Sequence, residues 1–255
     1  MDLHLPTTGL DRYKSPSQRA RVGTEAWGET NLFCVNCISN TLNRTRTNTP
    51  AIDFTCPNCA ERFQLKSQKK NLGSTLADGA YDKMEEAIEA NKTPNLLALH
   101  YEPQQWIVRD LILVPRFSYT LSVIKKRKPL SPAAERHGWI GCSIMLGDIP
   151  PEAKISLVTS GTIQIPEEVR RQYGKLRKLG EMSVEARGWT LDVLKLIHSL
   201  GKKEFSLRDV YEFENELFRL HPANRHIQPK IRQQLQELRK MHILKFLGRG
   251  RYLIL

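Results

Sequence analysis

The chain has 255 residues, 40% of them apolar, and a net charge of +12. This length suits one large or two ordinary globular domains, each able to bury a core. No run approaches the roughly 18 apolar residues of a membrane span, and the N-terminus lacks the basic and apolar regions of a secretory signal. We therefore expect a cytoplasmic protein that does not enter a membrane. The excess of Lys and Arg favours a nucleic-acid partner, although a merely soluble basic protein has the same charge.

The first two thirds of the sequence alternates between helical and strand patterns. This order predicts an α/β or α+β domain in which helices flank one mixed sheet. A basic cluster at residues 125–128 interrupts the strand-like runs. The predicted elements are a helix around 17–27, a loop and helix over 71–90 capped by Ser74 or Asp78, and strands at 96–101, 106–115, 139–145 and 154–160.

The last third has a different pattern. Residues 165–181 are polar and predict a linker or bridging helix that ends a first domain, residues 1–181, before a second, residues 182–255. Helical patterns follow at 189–200, at 207–217 with Ser206 as N-cap, and at 227–241. Strand-like residues on either side of Gly248-Arg249-Gly250 then predict a β-hairpin. Three helices and a basic hairpin are typical of a winged helix, and 14 Lys and Arg against 8 Asp and Glu in residues 182–255 support DNA binding.

Four cysteines form two Cys-x2-Cys pairs, Cys34 with Cys37 and Cys56 with Cys59. Each pair presents two sulfurs from one turn, and this spacing is typical of a structural zinc site with four thiolates. An odd total of five argues against a disulfide framework. The fifth, Cys142, is expected as a small buried apolar residue. Four reduced thiols or an iron–sulfur cluster are the alternatives, which metal analysis separates.

A candidate catalytic group surrounds the second cysteine pair. With that pair as a turn between strands at 51–55 and 61–66, Asp53 lies on the incoming strand, while Gln64 and Lys66 share one face of the outgoing strand. Asp53, Gln64 and the Leu65 carbonyl could hold Mg²⁺ for phosphodiester hydrolysis, with Lys66 orienting water and stabilising charge. The alternative is an ordinary Asp and Lys on a solvent-facing hairpin, because so short a motif recurs by chance.

Segments in one register over nearly the whole chain resemble methyl-directed restriction endonucleases of the DpnI type, within the PD-(D/E)XK nuclease superfamily. Besides the cysteine pairs they are residues 12–27, 65–67, 73–75, 78–81, 127–130, 138–142, 187–190, 230–235 and 248–250. The resemblance implies a zinc-containing PD-(D/E)XK nuclease domain followed by a winged helix that reads the same site. It also implies Mg²⁺-dependent cleavage of double-stranded DNA at G-A-T-C when the adenine is N6-methylated, with Asp53 and residue 64 as metal ligands and Lys66 as the catalytic lysine.

One position departs from this pattern. Residue 64 is Gln where the family usually has Glu, so the ligand is a neutral dipole. The motif proline is displaced too, since Pro50 precedes Asp53 by three residues. An alternative is therefore a zinc-stabilised winged-helix regulator that binds methylated DNA and has a degenerate nuclease core. A nuclease with another sequence or methyl specificity is a third possibility.

Candidate DNA contacts lie in both predicted domains. A methyl group in the major groove is recognised by apolar contact, which makes Trp139 the first candidate in the nuclease domain, with a core tryptophan as the alternative. Ser74 and Thr75 could contact DNA at the start of the following helix, or simply cap it. We expect a monomer in solution. The winged-helix candidates, each of which could instead be a solvated surface residue, are Lys230, Arg232, Gln233 and Gln236 on the recognition helix and Arg249 and Arg251 at the wing.

Overall fold

The computed structural model describes residues 1–46 and 49–255. Within these ranges no helix is both long and apolar enough to cross a membrane. The helices of the described chain are α1 (Pro16–Asn31), α2 (Tyr81–Glu89), α3 (Pro166–Glu181), α4 (Val184–Ser199), α5 (Leu207–Tyr211), α6 (Glu214–Leu220) and α7 (Ile227–Lys240). Its strands are β1 (Asn43–Arg44), β2 (Phe54–Thr55), β3 (Arg62–Gln68), β4 (Leu76–Ala80), β5 (Asn95–Glu102), β6 (Ile107–Val114), β7 (Ile124–Lys126), β8 (Gly141–Ile144), β9 (Ile155–Thr159), β10 (Thr162–Ile163), β11 (Glu204–Ser206), β12 (Leu244–Gly248) and β13 (Arg251–Ile254).

A mixed sheet of order β1-β2-β3-β5-β6-β9-β10 forms the centre of the first part. β3 and β5 run parallel, and the chain crosses between them through β4 and α2, while the other neighbours are antiparallel. Residues 96–99 of β5 are all buried, as expected for a strand covered on both faces. α1 contributes a hydrogen bond from the Thr24 hydroxyl to Ser67 of β3. The predicted mixed sheet with flanking helices is therefore confirmed.

A second, smaller sheet of order β4-β8-β7 corrects two predictions. The strand predicted at 139–145 belongs to this sheet and not to the large one. β4 occupies residues predicted as loop, so Ala80, without a side-chain cap, precedes α2, and neither Ser74 nor Asp78 caps the helix. The reason is tertiary: Leu76 is buried and pairs with Ile144 of β8, and strand pairing outweighs a local capping preference.

The C-terminal part is a winged helix, in which α4 to α7 pack beside a sheet of order β11-β13-β12. Ile231, Leu235 and Leu238 of α7 are buried, as predicted. Ser206 caps α5 in a reciprocal capping box with Asp209, so this prediction is confirmed. The single helix predicted at 207–217 is divided into α5 and α6, because Phe213 has non-helical backbone angles. Residues predicted as a linker or bridging helix form α3.

Polar contacts join the winged helix to the first part of the chain. Asp192 of α4 is buried, and its carboxylate accepts a hydrogen bond from Ser122 at 2.7 Å and lies 2.9 Å from His221 Nε2. The His221 ring in turn stacks on Trp189, with ring centroids 3.9 Å apart. Lys195 of the same helix lies 3.0 Å from Asp148. The interface is thus specified by directional contacts, which fix how α4 rests on the first part.

Candidate nuclease site and cysteine cluster

The two cysteine pairs converge at the turn between β2 and β3. The four sulfurs of Cys34, Cys37, Cys56 and Cys59 all lie within 4.8 Å of one another. The distance is 3.5 Å for Cys34 to Cys59 and for Cys37 to Cys56. Zn–S bonds of about 2.3 Å place the sulfurs of a tetrahedral site about 3.8 Å apart, so the donor set and its spacing fit zinc. All four donors come from protein, as they do in structural zinc sites.

The local environment of the sulfurs differs within the cluster. Burial raises the pKa of Cys56, but backbone N–H groups of Cys59 and Asn58 and the neighbouring thiols outweigh burial and bring the pKa to about 7. Burial raises the pKa of Cys34 and of Cys59. Without a cation the thiols of Cys34 and Cys59 therefore resist ionisation, and a bound divalent ion would supply the charge that makes four thiolates stable.

Helix α3 supports the first cysteine pair from outside. The Arg170 guanidinium donates to the Cys34 carbonyl at 3.0 Å and to the Ser39 carbonyl at 3.1 Å, and it lies over the Phe33 ring. Arg177, two turns later, donates to the Asn36 carbonyl at 2.9 Å. The loop that carries Cys34 and Cys37 is therefore bound to a helix of the domain as well as to the cluster. Sequence patterns alone did not identify these arginines, because nothing local relates them to the cysteines.

Asp53 is bound by β3 through both its backbone and its side chain. Its N–H donates to the Phe63 carbonyl at 2.9 Å, and its Oδ2 accepts from the Leu65 N–H at 2.7 Å. Burial raises the pKa of Asp53, while the Leu65 N–H and the charges of Lys66, Arg21 and Arg44 favour the carboxylate. A raised pKa at a half-buried acid surrounded by cations is typical of a functional site.

Gln64 and Lys66 extend from β3 beside this acid, both partly buried. Lys66 is near enough for its charge to lower the pKa of Asp53. Gln64 lines a cavity of about 100 Å³ together with Asp78 and Tyr119. The N–H and carbonyl of one strand residue leave the same edge of the strand, so the Leu65 carbonyl faces the same edge as Asp53. The hairpin thus holds the four predicted residues within one short stretch.

Asp78 is a member of this site that the sequence pattern did not identify. Its Oδ1 lies 2.6 Å from the Lys66 ammonium, and the side chain is only 9% exposed. We had expected Asp78 as a helix cap, because it precedes a helical pattern. One signal in the sequence could have identified Asp78. It lies two residues after Leu76 in the strand Leu76–Ala80, so both side chains share one face, and an acid on a buried face needs a charged or hydrogen-bonding partner.

Two family models match the chain. A model of the DpnI family, described as the Dam-replacing family, matches residues 1–182, and a model of its C-terminal part, described as the Dam-replacing HTH domain, matches residues 185–253. The chain belongs to the DpnI family. The resemblance and the fold class inferred from the sequence are thereby confirmed. At family level the protein is a methyl-dependent restriction nuclease with a helix-turn-helix domain that marks DNA as its partner.

In this DpnI-family chain, Trp139 is partly exposed and is therefore not a core tryptophan. Its ring lies against Gly141, where an added Cβ would come within 2.9 Å of it, and the Arg136 guanidinium lies 5.0 Å from the ring centroid. Ser74 and Thr75 are exposed in the loop before β4 and do not lie at the start of α2. The Ser74 carbonyl accepts from the Gly147 N–H at 2.9 Å.

The winged-helix candidates are exposed except for Lys230, and their contacts differ. Gln233 and Gln236 are exposed on α7. Arg232 is exposed as well and donates to the Tyr211 hydroxyl at 2.6 Å. Lys230 is partly buried, with its ammonium 5.8 Å from the Trp189 ring centroid. At the wing, exposed Arg249 has a positive φ of 49°, and exposed Arg251 lies 3.2 Å from Glu204.

Proposed function

We propose that the protein is a type II restriction endonuclease that cleaves double-stranded DNA at G-A-T-C sites containing N6-methyladenine. The single observation that supports this most strongly is the pairing of Asp53 with β3 beside Lys66, in a chain of the DpnI family. We place the nuclease domain at residues 1–181 and the winged helix at 182–255, and we expect one chain to act as a monomer.

Mg²⁺ is the cation that the donor set favours in this proposal. Asp53, the Gln64 amide oxygen and the Leu65 carbonyl are hard oxygen ligands, which Mg²⁺ prefers. Asp53 Oδ2 accepts the Leu65 N–H, and Oδ1 has no hydrogen bond to any residue of the described ranges, so one oxygen is available as a ligand. When bound, the ion would polarise the scissile phosphate and lower the pKa of water.

Lys66 is the catalytic lysine in this scheme. Its ammonium would orient the attacking water and stabilise the negative charge that develops on the phosphate. Gln64 provides a dipole and no charge, so Asp53 is the one anionic ligand of the three proposed. The ladder with β5 holds the part of β3 that carries Gln64 and Lys66, and β2 pairs with β3 at Arg62 and Phe63.

Both domains would take part in reading the methylated site. Trp139 offers an apolar ring for the adenine methyl group. On α7, Arg232 can bind guanine through two hydrogen bonds, and Gln233 and Gln236 can bind adenine. Arg249 and Arg251 would reach phosphate or the minor groove from the wing.

The first test compares plasmid DNA from adenine-methylating and non-methylating hosts in the presence of Mg²⁺. We expect cleavage of the methylated plasmid only. Equal cleavage of both would contradict the methyl specificity and leave the nuclease assignment in place. Fragment ends mapped by sequencing would show whether every cut lies at G-A-T-C.

Asp53→Ala and Lys66→Ala test the catalytic assignment. Each variant should reduce cleavage by at least about a hundredfold, because each removes a charge at the reacting phosphate. Binding to methylated DNA should stay nearly unchanged in both. Normal cleavage by Lys66→Ala would show that the motif was assigned to the wrong residue.

Gln64 is the observation that favours a second function, a methyl-reading regulator with a degenerate nuclease core. That function predicts selective binding of methylated DNA by the wild-type protein with no cleavage over a range of Mg²⁺ and Mn²⁺ concentrations.

A further inference from the structure

The ion pair between Lys66 and Asp78 joins two sheets at the candidate site. Lys66 belongs to β3 of the large sheet, and Asp78 belongs to β4 of the small one. Their charged atoms are 2.6 Å apart, with the Lys66 side chain 23% and the Asp78 side chain 9% exposed. Asp78 lines the cavity that Gln64 also lines. A carboxylate is therefore present at this cavity, although it does not come from residue 64.

The side chains of Cys142 and Tyr119 near Asp78 are neutral, so its charged partner is Lys66. Across the β4–β8 ladder Asp78 pairs with Cys142, which is buried, and Tyr119 at the same cavity is buried as well. Burial raises the pKa of Tyr119 and of Cys142, and the negative charge of Asp78 raises both pKa values further. The pKa of Cys142 is raised to about 11. Both neighbours are thus neutral. The Gly79 N–H donates to Asp78 at 2.7 Å, and a nearly buried carboxylate needs such compensation.

The strand alternation of β4 keeps the Asp78 side chain on the inner face. Leu76 and Asp78 are two residues apart and therefore point to the same face, on which Leu76 is buried. The β4–β8 register is regular from Leu76 to Asp78 and shifts only beyond Asp78, before Ala80. β4 is moreover the strand that crosses between β3 and β5 with α2, so its place beside β3 is set by the fold.

We propose that Asp78 is a positioning residue for Lys66: its carboxylate fixes the lysine ammonium at the cavity beside Gln64. This inference rests on the proposed nuclease function. In the DpnI-type pattern an acid at residue 64 stands two positions from the lysine on the same strand face. Here residue 64 is neutral, and Asp78 from the neighbouring sheet supplies the negative charge that holds the ammonium.

The test uses Asp78→Asn, which keeps the shape and removes the charge, and Asp78→Glu, which restores it. Asp82→Asn is the matched control, since Asp82 is exposed in the first turn of α2. Single-turnover cleavage is measured on methylated DNA with saturating enzyme, and DNA affinity is measured with Ca²⁺ in place of Mg²⁺. Asp78→Asn should lower the maximal rate about tenfold to a hundredfold, the size expected for a misplaced catalytic group. Affinity and melting temperature should stay close to those of the wild type.

A second readout follows Lys66 directly and does not require cleavage. The protein is treated with an amine-reactive reagent, and labelling of Lys66 is compared with that of exposed Lys83 by mass spectrometry. Without its partner, the Lys66 side chain should leave its position beside residue 78 and react several-fold faster in Asp78→Asn, and slowly again in Asp78→Glu. Asp82→Asn should match the wild type in both assays.

The outcomes separate the positioning role from the nuclease function. Wild-type rates of cleavage and labelling in Asp78→Asn would overturn the role of Asp78 and leave the function standing. A lower rate that comes with lost DNA affinity or a lower melting temperature would show a merely structural role. A wild-type protein that fails to cut methylated DNA would refute the function and the positioning role with it, whatever the variants do.

Discussion

At the scale of single residues, the site combines one acid on the hairpin, one amide and one lysine. Of the three oxygen ligands proposed for the cation, only Asp53 carries a charge, whereas Gln64 and the Leu65 carbonyl are dipoles. A neutral ligand binds Mg²⁺ less strongly than a carboxylate does. With these ligands, cleavage should require a higher concentration of Mg²⁺ than it would with an acid at residue 64.

The variant Gln64→Glu tests this demand. We expect cleavage to be unchanged at high Mg²⁺ and unchanged or faster at low Mg²⁺, since the added charge strengthens cation binding. The measurement is a titration of cleavage rate against Mg²⁺ concentration for wild type and variant. Gln68→Glu serves as the control, because it makes the same change on β3 two residues beyond Lys66. A large loss of rate at all concentrations would mean that the neutral ligand is required.

Residues that act through local spacing were predictable from the sequence. The cysteine pairs form a turn, and Asp53, Gln64 and Lys66 follow from the alternation of a strand. Asp78 was not predictable, because its partner lies 12 residues away on another sheet and their contact depends on how β4 packs beside β3. Trp139 could not be assigned to surface or core by pattern alone, since both environments accept an aromatic residue in a Gly-rich stretch.

At the scale of elements, the β2–β3 hairpin depends on its turn. β2 spans only two residues, so few ladder bonds fix its position on β3. The cysteine cluster lies at the end of this short ladder, where a bound metal ion would fix which residues oppose one another. Gln64 and Lys66 are held by the ladder with β5, so a shift of β2 by one residue would turn Asp53 to the face opposite to theirs.

Removal of zinc should therefore abolish cleavage through loss of geometry. Dialysis against a chelator that binds zinc strongly, followed by an excess of Mg²⁺, should leave a protein that does not cut methylated DNA. Metal analysis checks the loss, and added Zn²⁺ should restore activity. Cys37→Ser should behave as the metal-free protein does, whereas Cys142→Ser, outside the cluster, should keep its zinc. Full cleavage by a zinc-free preparation would contradict the dependence of the hairpin on the cluster.

Helix and strand positions were mostly predictable where apolar periodicity is strong, as in β5, β6 and α7. β4 and the division between α5 and α6 were missed. β4 is stabilised by pairing with β8, a contact between residues more than 60 positions apart, and its sequence, Leu-Ala-Asp-Gly-Ala, has little strand preference of its own.

At the scale of the whole molecule, the winged helix is attached to the nuclease part through α4. The buried carboxylate of Asp192 satisfies Ser122 from one side and His221 from the other. Because hydrogen bonds to a buried charged group are strong, this contact should make the two parts unfold together. Sequence could predict both folds but not this contact, since an acid in an amphipathic helix is ordinarily exposed.

Asp192→Ala should allow the winged helix and the nuclease part to unfold in separate transitions. We expect a loss of about 2–3 kcal/mol in the free energy of unfolding, because the hydrogen bonds of a buried carboxylate to two partly buried groups are lost. Urea denaturation followed by tryptophan fluorescence is the measurement, and a second transition should become visible. The control Glu185→Ala removes an exposed acid of the same helix and should cost no more than about 0.5 kcal/mol. Equal stability of both variants would contradict this account of the interface.

The small sheet also connects the loop that carries Trp139, which we propose to face DNA, with the candidate nuclease site. Trp139 lies three residues before Cys142, and Cys142 pairs with Asp78, whose carboxylate holds Lys66. Trp139 is thus connected to Lys66 through three residues of chain, the strand pair of Cys142 with Asp78, and the ion pair of Asp78 with Lys66. A change at Trp139 can therefore alter turnover as well as target preference. Rates measured on bound DNA, and not affinities alone, are needed to tell a lost methyl contact from a displaced ammonium.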